Sequence, residues 1–78
     1  MEAIKINDFW LVEHGKVFKV TKLPAPDNDS YIGNRVSMDG LVKEVGVSPN
    51  NFERKITSVE AKKKALEIMA IKIEDLFI

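Results

Sequence analysis

The residue types that most often perform catalysis or bind metals are sparse in this 78-residue sequence. It contains one histidine, His14, and no cysteine, so disulfides, thiolate metal sites and cysteine nucleophiles are excluded. It also lacks a glycine-rich phosphate-binding loop and a serine in a nucleophile-elbow sequence. His14 precedes Gly15, a pair that is typical of a tight turn. The sequence therefore indicates a protein that is not an enzyme and that uses neither a metal nor a cofactor.

Net charge and length further limit the kinds of protein that this sequence can encode. Twelve basic and twelve acidic residues give a net charge of zero, whereas dedicated nucleic-acid-binding proteins usually carry a basic excess. A neutral protein also lacks electrostatic protection against self-association. The length and the 45% hydrophobic content fit one domain spanning residues 1–78. No secretory signal or membrane span is recognisable, so a cytoplasmic protein without a membrane partner is expected.

Residues 1–23 predict a β-hairpin, because residues 9–12 and 17–20 are rich in aromatic and β-branched side chains. A two-residue turn at His14 and Gly15 would place Trp10 opposite Lys19 on one face of the hairpin. Trp10 and Lys19 are therefore candidate partner-binding residues, in contact through a cation–π interaction. In the alternative, Trp10 packs under another segment of the same domain.

Residues 24–30 predict a loop, because they combine two prolines with a cluster of Asp, Asn and Ser. Residues 31–56 then predict three strands. Asp39 and Gly40 form a hairpin turn, and Arg35 lies opposite Glu44. In that register one face collects the apolar side chains Ile32, Val36, Met38, Leu41, Val45 and Val47. The fold class is α+β, with a small antiparallel curled sheet or five-stranded barrel and one long C-terminal helix.

Residues 37–56 also resemble a helix-turn-helix DNA-binding motif. A glycine at the turn, Gly46, is followed by an apolar residue and by the Ser48-Pro49 start of a second helix. This resemblance implies an N-terminal β-hairpin plus a helix-turn-helix and a C-terminal helix. The residues that it implies would face the major groove are Asn50, Asn51, Glu53, Arg54 and Lys55. Lys62 and Lys63 on the following helix belong to the locally basic stretch of the sequence and are candidate phosphate contacts.

Residues 57–77 predict the C-terminal helix. Thr57 and Glu60 form a capping box, and no glycine or proline follows them. The stripe predicted to cover the sheet consists of Val59, Leu66, Ala70, Ile73 and Phe77. Ile68 and Ile71 lie off this stripe, and so short a chain has little left to cover them. They predict contact with another molecule, most simply a second copy in a homodimer.

Taken together, these patterns predict a small non-catalytic protein-binding module, of the kind found as accessory or inhibitor proteins in phages and mobile elements. The predicted partner-binding residues are Trp10, Lys19, Ile68 and Ile71. The alternative is a small helix-turn-helix regulator that binds DNA.

Overall fold

The computed structural model describes residues 3–69, which form an α+β fold with five antiparallel strands and one helix. The strands are β1 (Phe9–Val12), β2 (Lys16–Lys22), β3 (Tyr31–Ser37), β4 (Gly40–Val47) and β5 (Phe52–Ile56), and the helix is α1 (Ser58–Met69). Their order in the sheet is β4-β3-β2-β1-β5, and the sheet curls without closing. The predicted curled sheet with one C-terminal helix is confirmed, and the sheet stops short of a barrel. Within residues 3–69 no helix is long and apolar enough to cross a membrane.

The helix-turn-helix alternative is wrong, because both of its helices are strands in the structure. β4 and β5 occupy the segments that the motif would need, and only a single 3-10 turn, Pro49–Asn51, lies between them. Ser48 caps this turn by accepting a hydrogen bond from the Asn50 N–H to its hydroxyl oxygen at 3.4 Å. The three valines of β4 favour an extended backbone, and this preference outweighs the motif-like spacing.

The β1–β2 hairpin has a three-residue loop, so its predicted register is wrong by one residue. Glu13, His14 and Gly15 have φ values of 48°, 71° and 87°. Trp10 therefore pairs with Phe18, and Phe9 pairs with Lys19. Because side chains alternate between the faces of a strand, this shift places Trp10 and Lys19 on opposite sides of the sheet.

The β3–β4 hairpin also differs from its prediction. Met38 and Asp39 form the turn, since Ser37 pairs with Gly40. Arg35 lies opposite Val42 instead of Glu44, and a bulge follows, where Glu44 adopts a φ of 56°. A bulge moves the side chains beyond it to the other face of the sheet, so the predicted single apolar face of these two strands does not form.

Both faces of the sheet carry apolar cores. The helix-side cluster contains Phe9, Val17, Val36, Ile56, Ala61 and Ala65. The aromatic cluster on the opposite face contains Trp10, Val12, Phe18, Val20, Val47 and Phe52. Within it, Trp10, Phe18 and Tyr31 meet the Phe52 ring edge-on, with centroid distances of 5.4, 5.6 and 5.4 Å.

Helix α1 packs on the sheet through small residues. Ala61 and Ala65 are fully buried, while Val59 is 75% exposed and Leu66 is 43% exposed. The predicted sheet-covering stripe is therefore wrong for Val59 and Leu66, and its residues 70, 73 and 77 lie outside the described residues. Large side chains from the strands already fill the helix-side cluster, so the helix contributes alanines where it approaches most closely.

The start of α1 agrees with the predicted cap in part. The Thr57 hydroxyl oxygen accepts a hydrogen bond from the Glu60 N–H at 3.1 Å. The Glu60 carboxylate accepts a hydrogen bond from Arg54 of β5 at 3.1 Å, instead of closing the predicted capping box. The cap thereby also ties the helix to the preceding strand.

Candidate functional site

An open depression with a volume of about 460 Å³ lies at one end of the sheet. Here the β1–β2 turn, the β3–β4 turn and the last described turn of α1 meet, and we call this feature the turn-end depression. It is lined by His14, Gly15, Lys16, Ser37, Met38, Asp39 and Ile68. Its volume falls in the range of sites that bind small ligands or single large side chains of a partner.

The topology brings these three segments together. In an antiparallel meander, the first and third turns lie at the same end of the sheet. Ile56, at the end of β5, pairs with Phe9 at the far end, so α1 begins there and runs back along the sheet. Ile68, in the last described turn of α1, therefore reaches the turn end.

The β1–β2 loop forms a firmly held rim of the depression. The Glu53 carboxylate accepts hydrogen bonds from the N–H groups of His14 and Gly15, at 2.9 and 3.0 Å. The Glu13 N–H donates to the Asn51 carbonyl oxygen at 3.0 Å. Successive N–H groups in left-handed residues form a concave anion-binding nest, and here a side chain of β5 fills it.

Arg35 adds a further tie to the same loop. Its guanidinium donates to the Glu13 carboxylate at 2.8 Å, and both side chains are about three-quarters buried. Charge-assisted hydrogen bonds of this length are among the stronger polar contacts in proteins. The loop is thus anchored to β3 and β5, and the rim that it forms is held in place by both strands.

The β3–β4 turn forms the opposite rim and carries a prominent apolar side chain. The Asp39 N–H donates to the Ser37 hydroxyl oxygen at 3.2 Å, which fixes the turn while Ser37 itself stays buried. Met38 at the tip of the turn is 87% exposed. A methionine is flexible and polarisable, so it can adapt to the shape of a partner.

Ile68 forms the apolar floor. It is half-buried and packs against the helix-side cluster together with Leu11 and Leu41. Above this floor, His14 and Lys16 lie on one rim and Asp39 on the other. Such a site can accept an apolar side chain on Ile68 and Met38, and it can place a carboxylate of the same ligand beside Lys16.

The structure places two of the predicted partner-binding residues in the interior. Trp10 is 2% exposed within the aromatic cluster, as in the alternative in which it packs under another segment. Lys19 is 7% exposed on the other face, where burial lowers the pKa of its ammonium group. The predicted cation–π contact between them is wrong, because the hairpin register separates them. Ile68 lies in the turn-end depression, and Ile71 lies outside the described residues.

The residues that the DNA-binding alternative would use do not form one surface. Arg54 pairs with Glu60, and Lys55 lies 3.7 Å from the Asp8 carboxylate. These two basic residues are neighbours in β5, so their side chains point to opposite faces. The remaining candidates are spread over other elements, with Lys62 and Lys63 exposed on α1 and Asn50 and Asn51 on the 3-10 turn.

Sequence reasoning missed His14, Lys16 and Met38 as site residues. It assigned His14 to a turn and Met38 to a core face, and neither assignment points to binding. The available signal was topological. A meander of four strands, a fifth strand beside the first and a helix that runs back along the sheet bring the first turn, the third turn and the last described turn of the helix together, whatever their side chains are.

Comparison of this chain with protein-family models, with curated proteins and with solved structures finds no match.

Proposed function

We propose that this protein is a small non-catalytic protein-binding module and that the turn-end depression is its binding site. The observation that carries this proposal is the exposure of Met38 beside the half-buried Ile68, in a depression with an anchored rim. Exposed apolar surface next to a concave site is the common mark of a surface that binds a partner.

The charges on the rim indicate what the partner presents. Lys16 lies beside the apolar floor, and among the ion pairs within residues 3–69 none involves Lys16. A partner that brings a large apolar side chain together with a carboxylate would satisfy both the floor and this ammonium group. We therefore assign an acidic–apolar peptide segment as the class of ligand.

The size of the site sets the expected affinity. The depression has room for one or two large side chains of a partner. The surface that they would bury is much smaller than the roughly 800 Å² per partner of a standard protein–protein interface. Burying one such side chain contributes roughly 2 kcal/mol, and an exposed ion pair adds up to about 1 kcal/mol. A single segment should therefore bind weakly, and tight binding requires additional contacts.

Nuclear magnetic resonance can test the proposal with a defined probe. The methyl signals of Met38 and Ile68 would be followed during titration with the peptide Glu-Glu-Leu-Trp, and with Lys-Lys-Leu-Trp as the charge-reversed control. We expect both methyl signals to shift with the acidic peptide and to shift much less with the basic one, because the latter repels Lys16.

Two matched variants make the test specific. Met38→Glu changes a residue in the depression that is 87% exposed, and Val59→Glu changes a residue on α1 outside it that is 75% exposed. The first should lose binding and the second should keep it. Equal binding by both variants, or the absence of any methyl shift with the wild-type protein, would rule out the depression as the binding site.

A further inference from the structure

Resting on the proposed function, we infer that the turn-end depression binds the C-terminal segment of a second copy of this chain, residues 70–78. The two copies would exchange these segments across a two-fold axis. Such an interface is isologous, so it closes as a dimer and does not grow into a chain.

The chemistry of the segment matches the site. Residues 70–78 read Ala-Ile-Lys-Ile-Glu-Asp-Leu-Phe-Ile, so two acidic residues directly precede three large apolar ones. Leu76 or Phe77 suits the apolar surface that Ile68 and Met38 offer, and Glu74 and Asp75 suit the rim that carries His14 and Lys16. This is the combination of carboxylates and large apolar side chains that the proposed function requires, and the chain itself carries it.

The point at which the segment begins favours exchange between copies. Ile68 lies in the depression, two residues before the segment begins in the sequence. Residues 58–78 contain neither glycine nor proline, the residues that most readily reverse the chain direction. The sequence therefore offers no turn signal that would lead the segment back to the depression of its own chain, while a two-fold partner presents an identical depression.

Exposed apolar surface on α1 lies close in the sequence to this segment. Leu66 is 43% exposed on the last described part of the helix. It precedes the apolar residues 70, 71 and 73 of the segment. Pairing of two copies would thus bury Leu66 along with the exchanged segment, and it would supply the additional contacts that a single small depression lacks. The net charge of zero does not oppose such self-association.

Complementation between two variants of the full chain provides the test. Met38→Glu blocks the depression but keeps the segment, and Phe77→Ser weakens the segment but keeps the depression. Sedimentation equilibrium over a range of micromolar concentrations should show a wild-type dimer, and each variant alone should dissociate at least tenfold more readily. An equimolar mixture of the two should recover association, because one depression and one segment in each pair are intact. Val59→Glu should remain dimeric.

Other outcomes separate this inference from the proposed function. If the wild-type chain is monomeric and Glu-Glu-Leu-Trp still shifts the Met38 signal, the partner is not a second copy, and the binding function stands. If the wild-type chain dimerises but both variants dimerise equally well, the copies meet elsewhere and the inference is wrong. If neither dimer nor peptide binding is seen, both proposals fail.

A synthetic peptide with the sequence of residues 70–78 gives an independent readout. In excess, it should shift the Met38 methyl signal of the full chain and dissociate the dimer. A peptide with Glu74 and Asp75 replaced by lysine should do neither. Binding of both peptides with equal strength would show that the charge match with Lys16 plays no part, which contradicts the inference.

Discussion

Replacement of Gly33 by alanine should cost this protein a large part of its stability. Gly33 lies in β3 opposite Val20, in the centre of the sheet. A Cβ atom at this position would overlap the Lys19 carbonyl oxygen and would lie 2.7 Å from Cζ of Phe18. The oxygen belongs to the backbone of the adjacent strand, so the two strands must separate by on the order of an ångström before the methyl group fits.

The size of the effect follows from this overlap. Overpacking of a well-filled core costs about 1–3 kcal/mol, and the upper end applies where backbone must move. A chain of 78 residues has a total stability of roughly 4–12 kcal/mol at typical values per residue. A loss of about 3 kcal/mol would lower the Tm by roughly 12–24 °C in a domain of this size.

Gly46→Ala is the matched control, since Gly46 lies in the neighbouring strand β4. Its Cβ would lie 3.4 Å from the Ser30 Cβ atom and 3.7 Å from Ile32 Cδ1, which is ordinary van der Waals contact. Neither glycine adopts a positive φ, so backbone strain does not distinguish them. Urea denaturation of both variants should show Gly46→Ala within about 1 kcal/mol of the wild type. Equal unfolding midpoints for the two variants would refute the steric argument.

Three further changes test other contacts. Burial lowers the pKa of Lys19 below 10.5. At pH values between the lowered pKa and 10.5, the unfolded chain therefore binds more protons than the folded one, and the free energy of unfolding should rise with pH. Urea titrations at several pH values should show this rise, and Lys19→Met should abolish it. Glu53→Gln weakens the hold on the β1–β2 loop, so hydrogen exchange at the His14 and Gly15 amides should accelerate, with a stability loss of about 1 kcal/mol. Ala65→Leu overfills the contact between α1 and the sheet and should cost about 1–3 kcal/mol in thermal unfolding.

Each of these expectations has a contradicting result. An alkaline pH dependence that Lys19→Met leaves unchanged would assign that dependence to another group. Unaltered amide exchange in Glu53→Gln would mean that the carboxylate does not hold the loop. For the contact between α1 and the sheet, the exposed Val59 provides the control, and Val59→Ala should change the free energy of unfolding by less than about 0.5 kcal/mol. If Ala65→Leu changes it no more than Val59→Ala does, Ala65 is not closely packed against the sheet.

The elements were predictable from local sequence, whereas the registers were not. The strands follow from their β-branched and aromatic residues, and the helix start follows from Thr57. The register of β1 and β2 depended on whether the loop contains two or three residues, and both choices place apolar side chains on each face. Val17, Phe18 and Val20 are all buried, so alternation along β2 does not select one face. A difference of one loop residue therefore decided where Trp10 lies.

Tertiary packing also decided which face of α1 is buried and which residues line the depression. A periodicity analysis weights large apolar residues, so it selected Val59 and Leu66 over Ala61 and Ala65 as the buried face. The strands leave room only for small side chains at the closest approach, and helical periodicity contains no such information. Ile68 was predicted as a partner-binding residue, but Lys16 and Met38, which line the same depression, are distant in sequence and meet it only through the topology.

The bulge in β4 has a consequence for how copies of this protein can aggregate. β4 is an edge strand, and an uninterrupted row of backbone donors and acceptors there would offer a template for another chain. The left-handed conformation of Glu44 breaks this row, and its N–H donates to the Asn34 side-chain oxygen within the sheet at 3.3 Å. A strand approaching from outside would meet a distorted backbone flanked by the charges of Lys43 and Glu44. The bulge therefore opposes fibril-like stacking along this edge and leaves assembly to side-chain contacts elsewhere.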